Sequence, residues 1–593
     1  MAEWQAVPGG EVAHAPHGFL RRYIFSTDHK VIGLQYLLTG MAVAIIAGLL
    51  AMLIRLQLAW PAVKWPLLGK LFPVGMEDGL MRPEFYLALV TMHGTLMVFF
   101  VVSFALVSGF GNYLIPLQVG ARDMAFPFLN MLSYWVVVPA TLIMLVSFLV
   151  EGGAAASGWT AYPPLSAVEQ AIPGSGLGQT LWLLGMALFI ASFTMGGLNF
   201  FVTVLNLRAR GMSMMRLPMT IWAMFMAAIL GLLAFPPLTA AAIMLLFDRH
   251  GGTSFFLPSG LFFGNQLLAH QGGTPLLWQH LFWFLGHPEV YVLLLPALGI
   301  AFDVMAPFIR KPIFGYRMTV YSFWAIGFLG MIVWGHHMFV SGMNPFVGEF
   351  FSIGTLLITI PSAIVGLNLL ASLWGARLRL TTAMAFALGV IALFGAGGLG
   401  GIFLGTATSD IFLHDTYFVV GHFHYMIGGV TLFGIFAGIY YWFPKFFGRM
   451  MNERWGKVHF WLTLIPFYIV FFGMHFLGFG GAPRRYYAFN KFEFLQPFEG
   501  LNVIITLSAF VLGAAQFIFL FNFWWSLWFG PRGERNPWKA TTLEWTAPSP
   551  PPHGNWGAAP PTVHRWPYEY SAPEAKKDYT PQTVPAAEVP VTS

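Results

Sequence analysis

The chain has 593 residues, of which 57% are hydrophobic and only 9% are charged, and it contains 60 Phe and 22 Trp. This composition excludes a set of soluble domains and is typical of a polytopic membrane protein. The net charge of +6 does not indicate nucleic-acid binding, because the basic residues lie at helix ends. The sequence has no cysteine, so any metal must be held mainly by histidine, with carboxylate or carbonyl help.

Apolar runs long enough to cross a bilayer predict an all-α membrane protein of about twelve transmembrane helices, at roughly 20 residues each. We place the spans at residues 31–54, 86–110, 130–150, 179–205, 218–246, 275–303, 317–339, 347–372, 382–404, 412–441, 459–480 and 501–529. They divide the chain into an N-terminal segment (1–30), a membrane domain (31–529) and a Pro-rich polar tail (530–593).

Lys and Arg are concentrated on alternate connections between the predicted spans. The basic connections are at 208–216, 310–317, 377–379 and 445–457, whereas those at 151–178, 340–347 and 405–411 carry neither residue. The positive-inside rule therefore predicts that both termini are cytoplasmic. Arg484 and Arg485 lie on a connection of the other side, so these two cations need another role.

Histidines recur within or beside the apolar spans, where an ionisable residue is a functional candidate by default. In chain order they are His93, His287, His336, His337, His414, His422 and His424. His422 and His424 are two residues apart, about 200° around a helix, so each can hold a separate haem on one flank. The alternative is a pair of core histidines bonded to their neighbours.

His336 and His337 are adjacent, and His287 from another helix could complete a site of three imidazoles. Such a site suits copper with an open coordination position. The alternative is a polar patch at a helix end. His287 also begins the motif HPEVY, in which Tyr291 lies four residues later on the same helical face.

Glu289, in the same motif, points to the opposite face from His287. An isolated glutamate in a membrane is costly to ionise, which favours a proton relay over a metal ligand. The alternative is a protonated carboxyl group bonded to a carbonyl.

Together the motifs resemble subunit I of the haem–copper terminal oxidases, of the cytochrome c oxidase (A-type, aa3-like) kind. The resemblance extends from FSTDHKVIG to TLEWTAPSPPP and is carried by GNYLIPLQVGARDMAFPFLN, GHPEVY, HHMF, HDTYFVVGHFHYM and PRRY. It implies reduction of dioxygen to water, coupled to proton uptake and pumping. It also implies two haems, which we expect to be haem A, and one copper ion.

The resemblance implies a role for each histidine. His93 and His424 are the expected axial ligands of a low-spin haem, His422 is that of a high-spin haem, and His287, His336 and His337 are those of the copper. Tyr291 is expected to be covalently linked to His287 and to supply an electron and a proton to the reaction. Tyr291 and Glu289 are therefore the expected catalytic residues.

Further positions match family contacts to the haems and to a second metal. Arg484 and Arg485 are expected to pair with haem propionates, and Arg55 to contact the ring substituent of the low-spin haem. His414 and Asp415 match a magnesium or manganese site that also takes a carboxylate from subunit II.

The resemblance also implies a proton pathway that begins at Asp123 and ends at Glu289. Its expected members are Asp123, Asn112, Asn130, Asn199, Ser192 and Glu289. A second family pathway uses a lysine on the eighth helix, and here Val365 occupies that position in IPSAIV. Phe302 replaces an expected serine, and Ser362 is the remaining hydroxyl of that segment.

A nitric oxide reductase or a quinol oxidase on the same scaffold is the alternative function, and a non-enzymatic haem-binding conduit is a third. Tyr291 and Glu289 argue against the reductase. Phe85 and Ala88 stand where quinol-oxidising relatives have His and Gln, which favours cytochrome c or another soluble donor. The expected partners are a subunit II with a dinuclear copper, a subunit III and the lipid bilayer, most simply a bacterial plasma membrane.

Overall fold

The computed structural model describes residues 18–557, 559–572 and 577–585, and within them the chain forms a bundle of long helices. The α-helices of this part are α1 (His29–Ala59), α2 (Pro66–Leu71), α3 (Pro83–Thr95), α4 (Phe110–Val119), α5 (Pro127–Val146), α6 (Leu177–Asn206), α7 (Met219–His250), α8 (Pro275–Ile309), α9 (Tyr316–Gly330), α10 (Pro345–Leu373), α11 (Thr382–Gly405), α12 (Ala407–Leu413), α13 (Tyr417–Phe423), α14 (Thr431–Phe447), α15 (Glu453–Phe479) and α16 (Glu499–Phe529). Two antiparallel hairpins, β1–β2 (Met76–Glu77 and Leu80–Met81) and β3–β4 (Phe262–Phe263 and Gln266–Leu267), lie in connections.

Polar caps fix where several of the long helices begin. The side chain of Asp28 accepts a hydrogen bond from the backbone N–H of Lys30 at the start of α1. Thr274 and Asn344 do the same for α8 and α10, each followed by a proline at the first helical position. These residues satisfy N–H groups that have no partner inside the helix, so each helix has a defined first turn.

Eleven helical segments of the described residues are long and apolar enough to cross a membrane. The predicted span at 317–339 differs from the rest, because α9 ends at Gly330 and a separate 3-10 turn covers Trp334–Met338. The fold is therefore the expected helical membrane bundle, with one short span. That short span places His336 and His337 on a tight turn instead of a regular α-helix.

Two of the spans change from α to π geometry along their length. A π segment at Leu96–Gly109 joins α3 to α4, and another at His424–Val430 joins α13 to α14. Such insertions are rare and are frequent at functional sites. One lies directly after the turn that carries His93, and the other begins at His424.

Helix α8 is the centre of the bundle, and the whole of its most apolar window is buried. It packs against α7, α11, α14 and the 3-10 turn. His287, Glu289 and Tyr291 all lie on α8, so the candidate site is built around the most enclosed helix.

The described part of residues 530–585, which we term the strap, crosses one end of the bundle without forming a further long helix. Its anchors include the fully or nearly fully buried Trp545, Tyr568 and Tyr570. The ammonium group of Lys445 donates to the carbonyls of Ala547, at 2.9 Å, and Pro548, at 3.2 Å. The bundle end that it covers is termed the strap end. Residues 1–17 of the predicted N-terminal segment, and 558, 573–576 and 586–593 of the predicted tail, lie outside the described residues.

Candidate functional site

The three histidines predicted for copper converge on one point between α8 and the 3-10 turn. One ligand nitrogen from each of His287, His336 and His337 lies within 4.8 Å of the other two, the one such group of three found among the described residues. Nδ1 of His287 is 3.3 Å from Nε2 of His337, and the Nε2 atoms of His336 and His337 are 3.1 Å apart. Nitrogen lone pairs this close repel one another unless a proton or a cation lies between them. The cluster therefore fits a single metal ion with imidazole ligands.

Neighbouring groups fix how two of these imidazoles are oriented. Nδ1 of His336 lies 2.7 Å from Oγ1 of Thr355, whose hydroxyl donates at 2.6 Å to the carbonyl of Phe351. Because that hydroxyl proton is already used, Nδ1 of His336 must donate to Thr355, which leaves Nε2 free for a metal. The ring of His337 stacks on Trp283, with 3.8 Å between centroids and 12° between planes. Sequence reasoning missed Thr355, whose position gives no signal until α10 packs against the turn.

His287 faces the cluster with Nδ1, whereas His336 and His337 face it with Nε2. Its Nδ1 faces His337, while its buried Nε2 has no hydrogen-bond partner. The ring of Tyr291 stands at 5.0 Å between centroids and 77° to that of His287, one helical turn away as predicted. A buried polar atom without a partner is uncommon and costly, so Nε2 of His287 requires an explanation.

The imidazole rings of His93, on α3, and His424, at the start of a π segment, face one another inside the bundle. Their rings are 6.4 Å apart between centroids and 9° from parallel. Each Nδ1 donates to a backbone carbonyl, that of Ala47 at 2.9 Å and that of Val420 at 2.8 Å, so each Nε2 is available. This separation leaves room for one metal ion between two imidazoles, since each metal–nitrogen bond is about 2.0 Å long. The pair fits a low-spin haem.

His422 lies on the other flank of the same span, against α11. Its Nδ1 donates at 2.9 Å to the carbonyl of Gly397. A Cβ atom at Gly400 or Gly401 would lie 3.1 Å from Nδ1 or 3.2 Å from Cε1 of this ring, so the two glycines make room for the imidazole. Helix α11 also packs against α8, which carries His287 of the three-histidine cluster. The ring therefore fits a second haem, on the side of the three-histidine cluster.

Glu289 is buried, two residues beyond His287 on α8. Its Oε1 lies 3.4 Å from the hydroxyl of Ser103, and its Oε2 has no partner. Among the described residues, the carboxyl group thus has one long hydrogen bond and one oxygen without a partner. Ser103 is a contact that sequence reasoning missed.

Asp123 lies half-buried at the strap end, on the connection between α4 and α5. Burial, together with the charge of Asp28, raises the pKa of Asp123 to about 7. The amide oxygen of Asn112 and both amide atoms of Asn130 are buried without partners. Buried amides in this state are the ordinary sites of internal water. Asn199 instead bonds both main-chain groups of Phe126.

A cluster of hydroxyl groups lies where α1, α5 and α6 meet. The phenol of Tyr36 is 3.0 Å from the hydroxyl of Ser133 and 3.2 Å from that of Ser192. Sequence reasoning identified Ser192 but missed Tyr36 and Ser133, because three separate helices bring them together. The structure gives no continuous hydrogen-bonded chain from this cluster to Glu289 among the described residues.

The segment that lacks the family lysine is apolar. Val365 and Phe302 are fully buried, and Ser362 is only half-buried. The side chains of Val365 and Phe302 are hydrocarbon, so neither can carry a proton through this segment. The nearest buried amide of α10, Asn368, bonds Thr319 at 2.9 Å.

Arg484 and Arg485 lie at the end of the bundle opposite the strap. Arg484 forms an ion pair with Asp415, and its buried Nε has no partner. The guanidinium of Arg485 lies against Gly158, where a Cβ would come within 3.1 Å of it. Nδ1 of His414 lies 3.2 Å from a carboxylate oxygen of Asp410, while the carboxylate of the predicted Asp415 pairs with Arg484. Asp410 is a further candidate that sequence reasoning missed.

Arg55 lies buried in α1, where α16 holds its guanidinium. Its Nη2 donates to Oδ1 of Asn502 at 2.9 Å and to Oγ1 of Thr506 at 2.9 Å, while Nη1 has no partner. A buried guanidinium nitrogen without an acceptor fits a bound group with a carbonyl oxygen.

The sequence matches the family described as Cytochrome C and Quinol oxidase polypeptide I over residues 31–511. It is 49% identical over 581 residues to the alternative cytochrome c oxidase subunit 1 of Bradyrhizobium diazoefficiens, which covers 98% of this chain and 95% of that protein. It is 43% identical over 548 residues to cytochrome c oxidase subunit 1 of Thermostichus vulcanus, with 92% of each chain covered.

A solved structure has the same fold. It is that of a heme–copper terminal oxidase dimer, and the match has a TM-score of 0.66 at 19% identity over 85% of each chain. At this identity the match supports the architecture of the bundle.

Proposed function

The chain belongs to the cytochrome c and quinol oxidase polypeptide I family and is the catalytic subunit of a haem–copper respiratory terminal oxidase, and on that premise we propose which residues bind the metals, which carry protons and which protein donates the electrons. The proposed reaction is reduction of dioxygen to water with electrons from cytochrome c or another soluble protein. The observation that supports it most is the convergence of His287, His336 and His337 on one point.

We propose that His93 and His424 hold the low-spin haem, His422 holds the high-spin haem, and the three converging histidines hold the copper. When bound, these groups supply the redox chemistry of dioxygen reduction. The chain orients four of the six imidazoles, those of His93, His424, His422 and His336, through their second nitrogen, by the carbonyls of Ala47, Val420 and Gly397 and the hydroxyl of Thr355. The buried surroundings exclude bulk water from the reacting groups.

Tyr291 is the proposed donor of a proton and an electron beside the copper site. A covalent bond between a ring carbon of Tyr291 and Nε2 of His287 would replace one ring C–H bond and the buried Nε2–H bond that lacks a partner, and the two protons and two electrons released would go to dioxygen, the oxidant of the reaction. The 5.0 Å between the ring centroids supports such a bond with a small adjustment of the two side chains.

Protons are proposed to enter at Asp123 and to reach Glu289 through water held by Asn112, Asn130, Asn199 and Ser192. The unpartnered amides of Asn112 and Asn130 support this route, since they need water. Because Val365 replaces the lysine of a second route, Asp123 is proposed to supply all protons. Moving one charge against 100 mV requires about 2.3 kcal/mol, and Glu289 is the proposed gate for that movement.

At the opposite end, Arg484 and Arg485 are proposed to pair with haem propionates. Arg55, with its unpartnered Nη1, is proposed to contact the formyl group of a haem A. His414 and Asp415 are proposed ligands of a magnesium or manganese ion shared with subunit II.

The proposed complex contains a subunit II with a dinuclear copper and a subunit III. The strap end carries the basic connections, so we place it and both termini on the cytoplasmic side of a bacterial plasma membrane. Phe85 and Ala88 support a protein donor, because they offer no polar group to a quinol.

Oxygen consumption by the purified complex tests this function. Reduced cytochrome c should support rapid, cyanide-sensitive oxygen uptake, whereas a short-chain quinol should not. Preference for the quinol would identify a quinol oxidase. Turnover of nitric oxide without oxygen uptake would identify the reductase alternative.

A further inference from the structure

One asparagine of the strap, Asn555, lies at the strap end of the bundle between the start of α1 and the connection between α4 and α5. Asn555 is fully buried, and its backbone lies in the left-handed region with φ of 72°. Asparagine and glycine adopt that conformation far more readily than other residues. The segment Gly554–Trp556 thus places a short amide side chain inside the protein, far in sequence from everything that it contacts.

Every hydrogen-bonding atom of this amide has a partner. Its Oδ1 accepts from Nζ of Lys30 at 3.0 Å and lies 3.1 Å from Nε2 of His29. Its Nδ2 donates to the carbonyl of Ala121 at 2.9 Å and to that of Arg122 at 3.2 Å. The amide therefore joins the start of α1 to the connection between α4 and α5.

Those two elements carry the proposed entrance of the proton route. Ala121 and Arg122 directly precede Asp123, and Nδ1 of His29 donates at 2.8 Å to the carbonyl of Asn112. Asn555 thus bonds the backbone before Asp123 on one side and the ammonium group of Lys30, next to His29 at the start of α1, on the other.

The charges around Asp123 depend on the same contacts. Lys30 pairs with Asp28 at 2.9 Å, and His553 of the strap contacts Asp28 at 3.0 Å. Asp28 acts to raise the pKa of Asp123, whereas Lys30 and His553 act to lower it. A displacement of the connection that carries Asp123 would alter its distance from all three groups.

We propose that Asn555 is a positioning residue for proton uptake, and that the strap holds the Asp123 connection against α1 through this one side chain. The inference rests on the proposed role of Asp123 as the entrance. An amide is required because the site needs two N–H donors and one acceptor on the same short side chain. The strap is therefore part of the proton-uptake machinery, although it lies beyond residues 31–511 that define the family match.

The test is Asn555→Gly in the full membrane complex, because glycine tolerates the positive φ and removes only the amide. Gln582→Ala is the matched control, since this buried strap amide donates at 3.0 Å to the carbonyl of Arg216 on another connection. The measurement is proton uptake from solution, followed with a pH-indicator dye while the reduced complex reacts with dioxygen. We expect Asn555→Gly to slow uptake about fivefold, which is about 1 kcal/mol of barrier, with unchanged haem spectra and an unchanged control.

The same measurement in an Asp123→Asn background separates positioning from general damage. If Asn555 acts through Asp123, Asn555→Gly adds no further slowing there. The inference would be overturned if Asn555→Gly slowed proton uptake equally in the wild-type and Asp123→Asn backgrounds. It would also be overturned if Asn555→Gly took up protons at the wild-type rate while Asp123→Asn was slow. A normal rate for Asp123→Asn itself would instead overturn the proposed entrance, and with it the inference. Should the glycine variant fail to assemble, Asn555→Asp repeats the test, because it keeps the acceptor and removes both donors.

Discussion

Nδ1 of His336 donates to Oγ1 of Thr355 at 2.7 Å, and this contact determines which nitrogen of His336 faces the cluster of three histidines. The hydroxyl of Thr355 has only one proton, which it donates to the carbonyl of Phe351. The direction of both hydrogen bonds is therefore fixed, and Nε2 of His336 carries the free lone pair.

Thr355→Val should weaken copper binding because it removes this hydrogen bond while keeping the side-chain shape. Loss of such a partner typically costs about 10–100-fold in metal affinity. The measurement is the copper-to-iron ratio of the purified complex after dialysis against a graded chelator. Thr355→Ser restores the hydroxyl and should retain copper. Equal copper retention by the valine and serine variants would show that Thr355 does not orient His336.

Glu289→Gln should leave both haem spectra intact and slow oxygen consumption by at least about 100-fold, since the amide cannot relay a proton. The measurement is steady-state oxygen uptake beside optical spectra of the reduced complex. Ser103→Ala is the control, because it removes the one hydrogen bond to the carboxyl group without removing the proton carrier. Near-normal turnover of the glutamine variant would remove Glu289 from the relay.

Asp123 should make the folded protein less stable as pH rises. Its pKa is raised from 3.8 to about 7 by burial, so the folded state holds a proton that the unfolded chain releases. This contribution to stability is present below pH 4 and is lost as pH rises to about 7. The Asp123→Asn variant lacks this titrating carboxyl group. Its melting temperature, measured relative to that of the wild type, should therefore rise as the pH increases between these values.

The check is thermal unfolding of both proteins at pH 5 and pH 8, with the difference between them as the readout. A constant difference across this range would show that Asp123 is not protonated in the folded protein near pH 5. The comparison cancels other titrating groups, because they are shared by the two proteins.

Tyr291→Phe should impair dioxygen reduction while leaving the metal content unchanged, because the phenol is the proposed donor of a proton and an electron. Mass spectrometry of the peptide that contains HPEVY is the more direct measurement. In the wild type its mass should be lower by two hydrogen atoms, as a bond between the His287 and Tyr291 side chains requires. An unmodified mass in an active preparation would exclude that bond.

The residue types and spacings predicted the helical membrane fold and identified every member of the three-histidine cluster, because histidine is the main metal ligand left to a chain without cysteine. They did not predict Thr355, Tyr36 or Ser103, since a hydroxyl in an apolar helix has no distinctive pattern until its neighbour is known. Asn555 and His29 are 526 residues apart, and only the folded strap brings them together.

The predicted span at 317–339 illustrates a second limit. Its apolar run continues through Gly330, so hydropathy alone gives no sign that α9 ends there and that a 3-10 turn follows. The break matters, because His336 and His337 lie on that turn, and their Nε2 atoms are 3.1 Å apart there although the two residues are adjacent in the sequence.

The central proposal is that His287, His336 and His337 hold copper beside the proposed high-spin haem site at His422. The most direct test is metal and haem analysis of the purified complex, with copper assigned by electron paramagnetic resonance before and after substitution of His336. We predict two haems and one copper bound by histidine nitrogens in this subunit. Non-haem iron in place of that copper would contradict the account and would indicate a nitric oxide reductase.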